Sequence, residues 1–369
     1  MILHPSLITL HLKKIDWYII KKFLGTYFFT ILLILSITVA LDYNEKMDNF
    51  AEHAAPWKAI VFDYYLNYIP YFANLFSPLF VFVAVIFFTS KLAGNSEIIA
   101  MLSSGISFPR LLRPYMISAG VIAALTFMLN SFVIPPANVK RLDFQNKYYK
   151  DRTVKIVKNN QFMVEPDVVA FFYHYDARKK QGTKFALERF ENKKLVSRLT
   201  ADRAAWAGDY HWQLTNYNIR DINEHGETLR SGTSLDTVVM VAPEDIIMEY
   251  NDFEKMTTPK LHEYIERQEA RGVGNIQPYQ IEYHKRFAAI AAAFILTLMG
   301  ASLSSKKVRG GMGINIGLGL VLSFVYILFQ TVSSSFAVSG DMPVLLAVWL
   351  PNIVFAIIGI WLYFYKAPK

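Results

Sequence analysis

Gly94-Asn95-Ser96-Glu97-Ile98-Ile99-Ala100-Met101-Leu102-Ser103-Ser104-Gly105-Ile106-Ser107 lies between two long apolar segments, and its reading decides how the chain around it is threaded. Asn95 or Ser96 offers a side-chain oxygen to the unpaired N–H groups of a first helical turn. Glu97 falls in that turn, where a negative charge suits the positive end of the helix dipole. Ile98, Ile99, Met101 and Leu102 supply an apolar surface, and Gly105 closes the end. The segment is far shorter than the roughly 20 residues needed to cross about 30 Å of hydrocarbon. Lys91 before it and Pro109, Arg110 and Arg113 after it mark a cytoplasmic face. It reads as a helix over about residues 95–104, lying at that face and offered to another protein. A helix resting on lipid is the other reading the residues allow.

The surrounding apolar residues are clustered. Of 369 residues, 53% are hydrophobic and 18% charged, a small charged share for a soluble chain. Several runs reach spanning length with almost no charge, so the chain reads as a membrane protein. The net charge of +8 then requires no nucleic acid, because Lys and Arg gather in cytoplasmic loops. There is no cysteine, which excludes disulfides, thiolate metal sites and a cysteine nucleophile. Lys13, Lys14, Lys21 and Lys22 precede a full-length apolar run with no small-residue cleavage site, so no cleavable signal is expected.

Upstream of the short helix, spans are predicted from about Phe23 to Leu41 and from about Leu66 to Thr89, the latter kinked by Pro70 and Pro78. The amphipathic, basic residues 1–22 are placed inside, and an acidic loop with Asp42, Glu45, Asp48 and Glu52 outside. A third span, about Leu111 to Ile134, is expected to stop at Pro135-Pro136. Three more run from about Phe287 to Leu303, Ile314 to Phe336 and Val344 to Tyr365. Lys306, Lys307 and Arg309 fall inside, Asp341 outside, and Lys366 and Lys369 place the C-terminus inside.

Residues 137–280 are different material, dense in charge of both signs. Phe185-Ala186-Leu187-Glu188-Arg189-Phe190 and Trp212-Gln213-Leu214-Thr215-Asn216-Tyr217 alternate as strands do. Asp209-Tyr210, Asn223-Glu224-His225-Gly226 and Glu191-Asn192-Lys193-Lys194 read as turns. Strands spaced roughly 8–12 residues apart suggest a β-sandwich or jelly roll, placed outside because the third span leaves from the inside. A helix follows, with Thr258 as N-cap, Pro259 in first position and Gly272 past its end. The expected fold class is therefore a polytopic α-helical membrane protein, three spans plus three, with an inserted β domain. Its parts are residues 1–136, the β domain 137–257, a connecting helix and linker 258–280, and residues 281–369.

Catalytic signatures are missing. There is no Gly-x-x-x-x-Gly-Lys-Ser/Thr phosphate loop, no His-Glu-x-x-His and no Gly-x-Ser-x-Gly. The eight histidines are scattered; His174, His211 and His225 fall among strands and turns. The spans hold no ionisable pair of the kind a proton relay or intramembrane protease needs. An enzyme is therefore disfavoured, and a transport subunit or a membrane sensor with a ligand-binding outer domain remain.

Asn95-Ser96-Glu97-Ile98-Ile99-Ala100-Met101, with Gly105-Ile106-Ser107, resembles the coupling helix of the LptF/LptG permease family, the membrane subunits of the lipopolysaccharide exporter. Leu24-Gly25-Thr26-Tyr27, Glu282-Tyr283-His284-Lys285-Arg286-Phe287, the glycine-rich run from Lys306 to Gly313 and Trp349-Leu350-Pro351-Asn352 are also similar. The resemblance implies that two such subunits pair in the inner membrane and that a cytoplasmic LptB-like ABC ATPase dimer grips their coupling helices. ATP and magnesium would belong to that partner, with no cofactor on this chain. Asn95, Ser96, Glu97, Ile98, Met101 and Gly105 are the coupling residues it implies, with Glu97 facing a polar or basic cleft. Lipopolysaccharide would enter between the first and fifth spans and pass through the periplasmic β domain to a bridge of LptC/LptA-like jellyrolls. A cavity for lipid A needs apolar walls and cations at its outer rim, for which Lys46, Lys285 and Arg286 are candidates. Asp42 and Glu45, where the family often has lysines, and Ala288-Ala289, where it often has proline, depart from that pattern.

Overall fold

A bilayer core offers no partner to backbone N–H and C=O groups, so apolar runs of spanning length must pair them within helices. The computed structural model describes residues 13–148, 156–223, 226–246, 252–270, 276–307 and 312–366. Among these, six helices are long and apolar enough to cross a membrane. Residues 1–12, Glu224, His225, Gly272, Arg309 and Lys369 lie outside the described residues. The chain divides into two compact units, Met1–Arg141 with Ile281–Lys369, and Leu142–Gln280.

In the first unit, helix α1 (Lys14–Glu52) runs on through Asp42, Glu45 and Asp48. The expected acidic loop is thus the last part of a helix. No Gly or Pro interrupts residues 42–52, and Asp42 pairs with Lys46 one turn later, the favourable order for such a pair. The second predicted span is two helices. α2 (Leu66–Leu75), preceded by a π-helical segment Ile60–Tyr65, is separated from α3 (Ser77–Gly94) by Phe76 at φ −98°, ψ 11°. Pro78 therefore opens α3, where its missing N–H leaves no bond unmade, and does not kink a continuous span. After the short helix α4 (Glu97–Ser103) comes α5 (Phe108–Met128).

Pro135-Pro136 do not stop the third span as expected. A π-helical segment, Leu129–Val133, shifts the hydrogen-bond ladder, and α6 (Ile134–Tyr148) resumes with both prolines in its first turn. There the absent donors are ones a helix start leaves unpaired anyway.

Packing in the membrane unit centres on α3, the most enclosed of the spans. α1 lies against α3 and α5. Ile19, Phe23, Val85, Phe88, Leu92, Ile98 and Tyr115 share one buried cluster. The C-terminal helices are α8 (Gln277–Ser304), α9 (Met312–Val338) and α10 (Val344–Tyr365), the last with the predicted bounds. Lipid tails are as apolar as Leu, so helices here are held by close contact and polar bonds. Gly319 of α9 makes room for the Ile86 side chain of α3, whose Cδ1 a Cβ there would strike. Asn315 Nδ2 donates to Ser90 Oγ at 3.1 Å. Tyr326 donates to Asn352 Oδ1 at 2.9 Å, and Asn352 Nδ2 to the Ala288 carbonyl at 2.9 Å, joining α8, α9 and α10.

Among the described residues the second unit holds six strands: β1 (Ile156–Glu165), β2 (Val168–Asp176), β3 (Gln181–Glu191), β4 (Lys194–Gly208), β5 (His211–Asn223) and β6 (Gly226–Val238). They form one antiparallel sheet in chain order, so neighbours are joined by hairpins and not by the crossovers of a Greek key. Asn192-Lys193 and Asp209-Tyr210 make two-residue turns with positive φ at both positions, the twist that suits a hairpin. After β6, helix α7 (Thr258–Ala270) starts within one residue of the expected cap, the Thr257 carbonyl accepting from Leu261 N–H.

A single sheet closes over its own core here because it is creased. Every ladder skips one pair along a line through Asn159, Tyr173, Lys184, Asp202, Asn216 and Thr233. Lys184 and Asn216 on that line have φ of 49° and 51°. A one-residue irregularity bends a strand and reverses which residues face in. The inward residues of β2 accordingly change from Ala170 and Phe172 to Tyr175, and those of β4 from Leu199 and Ala201 to Ala204. Phe172, Tyr175 and Trp212 meet in the core, with Phe172 and Trp212 centroids 5.6 Å apart.

Two substitutions probe these features. Asn352→Ala removes two bonds that join three helices and should cost about 1–2 kcal/mol, read as a lower melting temperature of the detergent-solubilised chain. Gly182→Ala would place a Cβ 2.2 Å from Phe172 Cδ1. It should cost about 1–3 kcal/mol, and combined with Phe172→Leu the loss should be less than the sum of the two single losses.

Candidate functional site

α4 is bracketed by two left-handed residues. Ser96 precedes it at φ 62°, and its side chain makes no capping bond. The expected cap fails because a capping side chain reaches the first turn from an extended backbone, not a left-handed one. Asn95 Nδ2 instead donates to Glu97 Oε1 at 3.3 Å. At the other end Gly105, φ 88°, donates to the Leu102 carbonyl at 3.0 Å, and Ile106 to the Met101 carbonyl at 3.3 Å. This pair of bonds is a Schellman closure, as Gly105 suggests.

The apolar surface of α4 divides unequally. Ile98 is fully buried among residues of α1, α3 and α5, with Met101, Leu102 and Ile106 half-buried against the same cluster. Ile98 therefore belongs to the chain's own core, and Met101 largely so, although the sequence had assigned both to a partner. The four apolar side chains wrap too much of a short helix for sequence to say which strip faces home. The outward face is Ile99, 53% exposed, with Ala100, Ser103 and Ser104, flanked by exposed Asn95 and Ser96.

Two polar links tie this segment to the start of α1. Tyr18 donates to Glu97 Oε2 at 2.8 Å. Arg110, just after the Gly105 closure, donates to both oxygens of Asp16 at 2.6 and 2.7 Å. Asp16 is 3% exposed and also accepts from the Lys13 N–H at 2.9 Å. Beside these groups lies a cavity of about 300 Å³, lined by Asp16, Ile19, Gly105, Ile106, Arg110 and others. Sequence reading missed Asp16, Tyr18 and Arg110 as a set. The one signal was Asp16 itself, a lone acid among Lys13, Lys14, Lys21 and Lys22.

The expected rim cations sit differently. Lys46 is engaged by Asp42 and Tyr64 and lies over the rings of Tyr64 and Tyr68. Tyr65 also donates to Asp42, at 3.1 Å. Arg286 is 2% exposed and donates from Nε to Glu282 at 3.0 Å. Lys285 is half-buried. Lys46 and Arg286 are therefore held inside the membrane unit, each by a carboxylate of its own helix.

The chain is similar to known proteins over almost its whole length. The family described as lipopolysaccharide export system permease LptF/LptG matches residues 17–365. The lipopolysaccharide export system permease protein LptG of Escherichia coli (strain K12) is 18% identical over 357 residues, 96% of this chain and 98% of that one. The LptG protein of Haemophilus influenzae (strain ATCC 51907 / DSM 11121 / KW20 / Rd) is 18% identical over 362 residues, 95% of this chain and 98% of that one. Six helices of spanning length among the described residues, a short helix between the second and third, and a β domain inserted between the two membrane halves accompany that match, and the chain belongs to the LptF/LptG permease family.

Proposed function

We propose that this chain is a permease subunit of an ABC transporter that extracts lipopolysaccharide from the inner membrane and passes it to a periplasmic bridge of LptC/LptA-like jellyrolls. Family membership, together with the outward strip of α4, carries the reading. The chain owns no phosphate loop, so the driving free energy comes from ATP held by a separate LptB-like ATPase dimer. Ile99, Ala100, Ser103, Asn95 and Ser96 form its contact strip, with Glu97 at the edge. Six spans, the number among the described residues, would return Lys13 and Lys366 to one side. Lys13, Lys14, Lys91, Lys306, Lys307 and Lys366 then share that side, which the positive-inside rule makes cytoplasmic, with the β domain periplasmic.

Exposure supports the substrate path that the family resemblance implies. The spanning windows of α1 and α9 are 11% and 22% buried, against 72% for α3. These two helices, the first and fifth spans, thus present the widest apolar surfaces, suited to acyl chains and to a second LptF/LptG-type subunit. Lys46 and Arg286 would meet lipid phosphates only after release from Asp42 and Glu282, so their part in binding depends on an opening of the outer end.

Glu97→Lys should reduce copurification of the ATPase by about tenfold or more while the melting temperature stays near wild type. Ile99→Asp, on the outward strip, should do the same without touching Tyr18; wild-type recovery of the ATPase with both variants would sink the docking assignment. Photo-crosslinkers at Leu32 of α1 and Leu328 of α9, 67% and 62% exposed, should capture lipopolysaccharide in an ATP-dependent way. Absence of capture at both positions would remove the substrate reading.

A further inference from the structure

We propose that Asp16, Tyr18 and Arg110 are positioning residues that latch the short helix α4 to the inner end of α1, so that α1 moves with α4. The inference rests on the docking of an ATPase at α4 and adds how displacement there reaches a span. Tyr18 holds the first residue of α4 through Glu97, and Arg110 holds the chain just past its last turn through Asp16. Two attachments at opposite ends fix orientation as well as position, which one would not.

Three observations favour a transmitting role over ordinary surface pairing. Asp16 is nearly fully buried, and its link to Arg110 is bidentate, the geometry that resists rotation. Arg110 stands in the first turn of α5, where the helix dipole disfavours a cation, so the Asp16 partner offsets a local penalty. The cavity of about 300 Å³ lies where Gly105–Ser107 passes α1, so apolar packing is incomplete there and the ion pair bridges the gap. Ile98 supplies the apolar contact at the middle of α4. The left-handed residues Ser96 and Gly105 set α4 off from the helices on either side, so without the latch it is joined to them mainly by Ile98 and its neighbours.

The test uses the full chain in its complex with the ATPase, in proteoliposomes containing lipopolysaccharide. Tyr18→Phe removes one attachment and buries no charge; Arg110→Gln removes the other, with Arg110→Lys as the conservative control. The ATPase should still copurify with Tyr18→Phe, while lipopolysaccharide delivered to the β domain per ATP hydrolysed falls about threefold to tenfold, the range an ordinary exposed hydrogen bond sets. Arg110→Lys should recover part of the loss seen with Arg110→Gln. Because the chain has no cysteine, spin labels at exposed Lys14 and Ser104 report the α1–α4 distance directly. It should stay constant with nucleotide in the wild type and broaden in the variants, which a purely structural pair would not show. Wild-type delivery per ATP in both variants, or a label distance that varies with nucleotide in the wild type, overturns the latch and leaves the permease reading standing. Failure of the ATPase to copurify with the wild-type chain overturns the permease reading itself.

Discussion

The fold rests on the inability of hydrocarbon to solvate a peptide group. Once the apolar runs commit to helices, each irregularity along them has to be resolved without exposing backbone. The chain does this twice with π-helical segments, before α2 and before Pro135-Pro136, where a simple break would leave carbonyls unpaired. The same condition explains the polar side chains inside the membrane unit. Asn315, Asn352 and Tyr326 have found partners on other helices, and together they bind α3, α8, α9 and α10 where the hydrophobic effect supplies no preference between lipid and protein.

The end that carries α4 obeys different physics. There, water competes for every polar bond, and an exposed pair such as Tyr18 with Glu97 contributes little to stability. Asp16 with Arg110 is the partly buried counterpart. The combination suits a joint more than a core: α4 is seated by one fully buried side chain, Ile98, and oriented by two polar contacts. Its outward strip of Ile99, Ala100, Ser103 and Ser104 stays exposed.

Much of this was legible in the residues. Apolar length alone located the six spans, because twenty uncharged residues admit few alternatives, and the last span matched to the residue. Gly105 announced the end of α4, and the two hairpin turns were written in Asn192-Lys193 and Asp209-Tyr210. What sequence missed was tertiary in origin. Proline was read as a terminator, but a preceding π-helical turn cancels that effect. Ile98 and Ile99 are chemically equal, and only neighbours on α1, α3 and α5 make the first core and the second surface. Lys46 and Arg286 were candidates for a cationic rim; each pairs with a carboxylate four residues away, a partnership that only the folded helix brings together.

The crease in the β domain limits how the domain can drift in length. Strands such as β2 and β4 keep their side chains correctly sided because the ladders skip a pair at the same rung. Inserting or deleting one residue within a single strand would turn half of that strand inside out while its neighbours stayed put. Such changes are tolerable only at the hairpin tips, so strand lengths between tip and crease should be the part of this domain that descent leaves most constant, whatever happens to the residues that fill them.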